Sequence, residues 1–154
     1  MILISHRGNL VGRNSDKENS PEYIENAIHL GYDVECDLWV HHGKWFLGHD
    51  GLQYRVNEHF LNKYSNRLWI HCKNFYALRE VSSYPLHYFW HQHDKYAITS
   101  RKYIWTEDYD IIESSISILM MTEKTPLVCF DIDYLSKRFA GICSDCISFH
   151  KRGQ

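Results

Sequence analysis

The sequence predicts an α/β fold, read as a shortened (β/α)8 TIM-type barrel with reduced or missing helices in its second half. Three observations carry this reading. About eight strand-like segments occur, and in the first half they alternate with short helical ones. Polar side chains collect at or just past the C-terminal ends of those strands: His6, Arg7, Glu35, Asp37, His71, Lys73, His91, Gln92 and Asp145. In a parallel α/β barrel those ends form the active-site face, and scattered surface polarity would not concentrate there. Finally, the 154 residues fit one domain, 1–154, with one sizeable core. A full barrel uses roughly 250 residues, so the shortfall must come out of the outer helices.

Taken in order, Ile2 to Ser5 is a short apolar run that suits a buried strand, with His6-Arg7-Gly8 at its end. A polar, Gly- and Asn-containing loop leads to Glu18-Asn19-Ser20. Ser20 is placed to cap a helix, Pro21 suits its first position and Glu22 its first turn. Tyr23, Ile24, Ala27, Ile28 and Leu30 form the apolar stripe, and Gly31 stops it. A strand from Asp33 follows, completing a strand–helix–strand unit with parallel strands. A Gly-containing turn, His41-His42-Gly43-Lys44, then returns the chain through Trp45-Phe46-Leu47 to Gly48-His49-Asp50. His41 and His42 are expected in solvent.

Residues 57–64 are expected to be helical, with Phe60 and Leu61 inward, and Leu68 to Lys73 a strand. Asn74 caps a helix from Phe75 to about Ser82, closed by Pro85. Leu86 to Trp90 is read as a strand ending in His91-Gln92-His93-Asp94. Tyr96 to Thr99 and Lys102 to Trp105 are two more, joined by a tight polar link. Asp108 to Glu113 is read as a short helix, Ser117 to Met121 and Leu127 to Phe130 as strands, and Asp133 to Phe139 as a helix. Gly141 to Ser144 is the last strand, with Asp145 at its tip.

Seventeen basic and nineteen acidic residues give a net charge of −2, which argues against a nucleic-acid surface. Of five cysteines, Cys36 and Cys72 sit within apolar strand patterns, where a thiol behaves as a small hydrophobe. Cys143 and Cys146 form one C-x-x-C, a weak metal or redox signal without a second pair. The chain reads as reduced and intracellular. Met1 to Ser5 is too short for a leader peptide, and no apolar run approaches the roughly 18 residues of a membrane span. A soluble, cytoplasmic protein is therefore expected.

The most informative stretch runs from Asp33 to Asp50. Asp33, Glu35 and Asp37 alternate with Val34, Cys36 and Leu38, so the three acids share one strand face. Such alternation is also the ordinary pattern of a half-solvated strand. Its setting is different, because the return strand brings His49 and Asp50 towards the acids. Carboxylates facing a histidine are the grammar of metal-assisted hydrolysis.

His6-Arg7-Gly8, Glu18-Asn19-Ser20, Gly31-Tyr32-Asp33-Val34-Glu35-Cys36-Asp37 and His49-Asp50 together resemble the signature of glycerophosphodiester phosphodiesterases. The wider group includes phosphatidylinositol-specific phospholipase C. The likeness is dense over the first 50 residues and thins after them. Lys73 falls where the family has an acidic-x-Lys strand end, and Gly141 to Asp145 is similar to the family's closing strand. The resemblance implies that Glu35 and Asp37 bind one divalent cation, with Glu18 close to it or orienting Arg7. It implies that His6 and His49 are the general acid/base pair, with His6 as base and His49 as acid. Arg7 would hold the phosphate and Lys73 would add positive charge. It further implies attack by the substrate's own hydroxyl, giving a cyclic phosphate.

The chemistry suits these residue types. A phosphodiester anion needs charge neutralisation at its non-bridging oxygens, a base for the attacking hydroxyl and an acid for the leaving oxygen. Paired carboxylates suit Mg²⁺ or Ca²⁺, and Arg offers bidentate bonds to phosphate. Two histidines can exchange roles near neutral pH.

One position departs from the family. Where a third acidic ligand is usual, this chain has His71. Three readings stay open: a weakened Mg²⁺ site, a site for Mn²⁺ or a similar ion, or lost catalysis. The last corresponds to a non-catalytic phosphate-ester-binding protein. A relative with a different bond choice, of the sphingomyelinase D type, is a further alternative. Gln92 is a candidate to bond the substrate; Trp105 either walls the leaving-group side or, the favoured reading, belongs to the core, and His91 and His93 either reach the same pocket or are plain loop residues. The expected partner is a small phosphodiester, and a homodimer would cover apolar surface left by missing helices.

Overall fold

The computed structural model describes residues 1–108, 114–121 and 131–150. Among them are ten strands, four α-helices and one 3-10 turn, Ile147–His150. The strands are β1 (Ile2–His6), β2 (Asp33–His41), β3 (Lys44–Leu47), β4 (Tyr54–Val56), β5 (Leu68–Cys72), β6 (Tyr88–Phe89), β7 (Tyr96–Ile98), β8 (Ile104–Thr106), β9 (Ser114–Met121) and β10 (Phe139–Ser144). The helices are α1 (Pro21–His29), α2 (Glu58–Lys63), α3 (Phe75–Val81) and α4 (Ile132–Arg138).

The strands form one curled, mixed sheet, a half-barrel. A parallel run, β6–β5–β2–β1–β10–β9–β8, makes its body. Antiparallel β3 and β4 extend from the far end of β2, and β7 folds back on β8. The (β/α)8 barrel expected from the sequence is not what forms. Helices do not alternate with the strands: β7 and β8 are a hairpin, and the described helices are only six to nine residues long. No ladder joins β6 to β7 or β8. The link between β7 and β8 instead bonds to the β6 segment, among others through Ser100 N to Tyr88 O at 2.8 Å and Tyr88 N to Ser100 Oγ at 3.0 Å. The helix expected over 108–113 and the strand expected over 127–130 fall wholly or mostly outside the described residues.

Local chemistry explains the elements that do form. Ser20, Asn57 and Asn74 are extended residues whose side chains accept from the backbone N–H of Tyr23, Phe60 and Ala77. Each removes one orphan donor of a helix start. Asp131 caps α4 in the same way, through Asp133 N.

The curl follows from what each face buries. Ile4, Trp69, Phe89, Ala97, Trp105, Ile118, Met120 and Cys143, drawn from seven strands, touch one another on the concave side. On the convex side Val34, Cys36, Leu38, Leu68, Ile70 and Cys72 meet Ile24 and Ala27 of α1 and Ala77 and Val81 of α3. A fully buried aliphatic side chain contributes about 1.5–3 kcal/mol, so this cluster fixes β2 and β5 against α1 and α3. A third cluster places Leu119, Met121 and Ile142 against Leu135 of α4 and Ile147. The parallel strands therefore present their C-terminal ends at one rim.

Candidate metal and phosphate site

The rim is built from the chain ends of β1, β2, β5 and β10. Register puts His6 beside Glu35 and Asp37 beside His71. The alternation along β2 has the expected consequence: Glu35 and Asp37 point into the concave side, 2 % and 0 % exposed. Asp33 shares their face at the opposite end, bonded by Trp69 Nε1 at 3.0 Å and Arg67 at 3.0 Å. It takes no part at the rim.

After His6 the backbone turns sharply. Arg7 has φ 55° and Gly8 φ 90°. A Cβ on Gly8 would lie 2.8 Å from the Tyr23 ring, so glycine is required there. The left-handed Arg7 backbone is held by Arg7 N to Glu35 O and Asn19 N to Arg7 O, both 2.9 Å. Asn19 then clamps Asp37. Its Nδ2 donates to Asp37 Oδ2 at 3.0 Å, and its Oδ1 accepts from Asp37 N at 2.9 Å.

Three cationic or imidazole groups surround Asp37. Arg7 Nε is 2.9 Å from Oδ2, while Lys73 Nζ at 3.3 Å and His71 Nδ1 at 3.1 Å approach Oδ1. Burial opposes ionisation of Asp37, but these neighbours hold its carboxyl far below the usual carboxylate range. Glu35 moves the other way. Burial pushes its carboxyl up and Asp37 adds to that, against the pull of His6, Arg7 and His71. Glu35 Oε2 is buried without a hydrogen-bond donor among the described residues, and His6 Nε2 stands 3.7 Å from it.

His6 is fixed from its other nitrogen. Its Nδ1 is 2.8 Å from Asp145 Oδ1, which also accepts from Asn9 Nδ2 at 2.7 Å. A carboxylate only accepts, so Nδ1 carries the proton and the Nε2 lone pair faces the cavity. Burial opposes ionisation of Asp145, yet its bonds from His6 and Asn9 keep the carboxyl low.

His49 arrives from the β2–β3 hairpin. Trp39 Nε1 donates to Gly48 O at 2.7 Å, and Gly48 N to Asp37 O at 3.2 Å, which ties the strand end to the rim. Its Nδ1 is within ion-pair distance, 2.7 Å, of the exposed Asp50 carboxylate. Burial, with Arg7 adding to it, holds the His49 imidazole below its ordinary pKa of 6.5.

These groups open on one cavity of about 440 Å³, lined by His6, Arg7, Glu35, His49, His71 and Lys73 on one side. Gln92, His93, Trp105 and Glu107 line the other. Gln92 and Trp105 are among the residues that line it, and Trp105, 5 % exposed, is also part of the concave-side core.

Of the four expected metal ligands, Glu35, Asp37 and His71 offer atoms within 4.8 Å of one another. This group could hold a metal ion. Glu18 lies apart from that set. It meets Arg7 and Arg13, each at 3.4 Å, and Asn9 Nδ2 at 3.5 Å, so it orients Arg7. Sequence reasoning missed the parts played by Asn9 and Asn19. Asn19 lay within a quoted motif, whereas nothing marked Asn9. Among the described residues no helix is long and apolar enough to cross a membrane.

No family model, curated protein or solved structure matches the chain.

Proposed function

We propose that this protein is a metal-dependent phosphodiesterase acting on a glycerophosphodiester or a related phospholipid headgroup. The observation that carries the reading is the pairing, across one cavity, of two imidazoles with a buried carboxylate pair and two cations. His6 and His49 line the cavity with Glu35, Arg7 and Lys73, and buried Asp37 is paired with both of those cations.

The residues present fit a cation. Glu35 Oε2 is a buried oxygen without a donor, beside a second carboxylate and an imidazole. Glu35, Asp37 and His71 would hold the ion, which would neutralise charge on the phosphate oxygens. The chain's own groups would do the rest. Arg7 and Lys73 offer donors to the phosphate anion. A hydroxyl of the substrate attacks phosphorus while His6 Nε2 takes its proton. Asp145 stabilises the imidazolium that results and keeps the ring in place, the role of a buried acid behind a catalytic base. His49 delivers a proton to the departing alkoxide oxygen. The products are an alcohol and a cyclic phosphodiester, which water then opens with the two histidines in exchanged roles.

The test is direct. Purified protein, supplied in turn with Mg²⁺, Ca²⁺ and Mn²⁺, is offered a panel of glycerophosphodiesters and followed by ³¹P NMR. Cleavage through a cyclic phosphate is expected, and His6→Ala or His49→Ala should abolish it while the melting temperature holds. Absence of cleavage with every ion refutes the reading. Phosphate-ester binding without turnover, undiminished in His49→Ala, would identify a binding protein instead.

A further inference from the structure

His71 is held between two acceptors. Its Nε2 lies 3.2 Å from the backbone oxygen of His91, and its Nδ1 lies 3.1 Å from Asp37 Oδ1 and 3.9 Å from Glu35 Oε1. A carbonyl and a carboxylate only accept, whereas a neutral imidazole has one N–H. With the proton on Nε2, the Nδ1 lone pair faces two carboxylate oxygens. With it on Nδ1, the Nε2 lone pair faces the carbonyl. Rotation is no escape: the ring is stacked on Phe89 at 5.1 Å and His91 at 4.6 Å, within 4° of parallel, and a half-turn in that plane would put ring carbons where the nitrogens now stand.

A cation at Nδ1 resolves both ends. It turns the lone pair into a bond and leaves Nε2–H on the carbonyl, the usual outer bond of a metal-bound histidine. A second proton on the ring would also satisfy both His71 acceptors, the Asp37 carboxylate and the His91 carbonyl. It would leave Glu35 Oε2 as it stands, buried and without a donor. The three ligand atoms lie within 4.8 Å of one another. Ligands roughly 2.1 Å from one tetrahedral ion stand about 3.4 Å apart, so a contraction of up to about 1.4 Å brings the set to that spacing.

We propose that His71 is a metal ligand through Nδ1, so that Glu35, Asp37 and His71 select a divalent first-row transition ion over Mg²⁺ and Ca²⁺. Imidazole suits such ions, whereas an all-oxygen site suits the hard ones. The inference rests on reading the rim as a cation site, but not on the reaction performed there.

The experiment measures binding of Mg²⁺, Ca²⁺, Mn²⁺ and Zn²⁺ to metal-stripped protein by calorimetry, for wild type and His71→Glu. Wild type should bind Zn²⁺ and Mn²⁺ well ahead of Mg²⁺. His71→Glu should shrink the Zn²⁺-to-Mg²⁺ affinity ratio by at least tenfold. A ratio unchanged in His71→Glu, or wild type that binds no divalent ion, overturns the proposal. Should the variant not fold, X-ray absorption of Zn²⁺-loaded wild type decides: imidazole nitrogen bound to the metal supports it, and an all-oxygen shell overturns it. A protein that binds Zn²⁺ through His71 yet cleaves no phosphodiester keeps this inference and loses the proposed function. One that cleaves diesters with Mg²⁺, its metal preference indifferent to His71, does the reverse.

Discussion

Asp145→Asn isolates what the carboxylate behind His6 contributes. Asn keeps an oxygen where Oδ1 now accepts from His6 and Asn9, so the two bonds of 2.8 and 2.7 Å can persist while the negative charge is lost. That charge matters most when His6 becomes an imidazolium, so the loss belongs in kcat rather than KM. A hydrogen bond to a charged partner is worth about 1.5–3 kcal/mol, or roughly ten- to 150-fold in rate. His6 and Asp145 are largely buried, with side chains 14 % and 12 % exposed, so water would replace little of the interaction. The assay is steady-state cleavage of a glycerophosphodiester by wild type, Asp145→Asn, His6→Ala and the double variant. Melting temperatures would confirm that all four fold. On whatever residual rate His6→Ala leaves, measured at high enzyme concentration, Asp145→Asn should cost nothing further, because the group it serves is gone. A fall in kcat below threefold, or an equal fall in both backgrounds, would refute the dyad.

Three further outcomes follow from the same geometry. Asn19→Asp would set a carboxylate against Asp37 in place of the amide that now bonds it twice; urea unfolding should show a loss of roughly 2–4 kcal/mol, and a change under about 1 kcal/mol would mean the clamp is slack. His87 is 2 % exposed and bonded to Thr99 Oγ1 at 2.8 Å, and burial, with Arg101 adding to it, brings its pKa down from 6.5 to about 3. The unfolded chain then binds a proton that the folded chain refuses, so stability rises with pH between these values and is lost as pH falls below 6.5. At about pH 5 the loss through this group is up to roughly 2 kcal/mol, and His87→Gln should remove that slope from unfolding measured at several pH values; an unchanged slope contradicts the assignment. His49, held below its ordinary 6.5, must be protonated to act as the acid, so kcat/KM should decline as pH rises through a value under 6.5. A rate still climbing above neutral pH would remove His49 from the acid role.

Much of the fold was open to reading along the chain, where short-range physics decides. Ser20 and Asn74 each cap the helix that the sequence placed after them, and Asn57, expected as the first residue of a helix, caps it instead. The two-residue period of β2 sorted acids from apolar residues correctly, because one face is core and the other is the concave rim. The architecture was misread where local and global signals disagreed. A parallel connection needs a dozen or more residues, and the link between β7 and β8 is only 99–103. That link dictates a hairpin, and the count of eight strands obscured it. β4 was missed because Tyr54, Arg55 and Val56 are only partly buried or exposed and lack apolar alternation, and β3 alone holds them in register.

The site divides along the same line. Which side chains reach the rim depends on strand ends, and those are set locally, so His6, Glu35, Asp37, His49, His71 and Lys73 could be named from the sequence. What those side chains do to one another depends on pairs far apart in the chain. His6 meets Asp145 across 139 residues and Asn9 meets it across 136, with no pattern of spacing to announce either. The consequence is sharpest at Asp37, which reads as a free ligand in the sequence. In the structure it is already engaged by Arg7, Lys73, Asn19 and His71, while Glu35 Oε2 has no donor. The two acids of one strand are therefore not equivalent: Asp37 anchors the cations, and Glu35 holds the oxygen still open to a ligand. Removing Glu35 should thus cost more cation affinity than stability, and removing Asp37 should cost both.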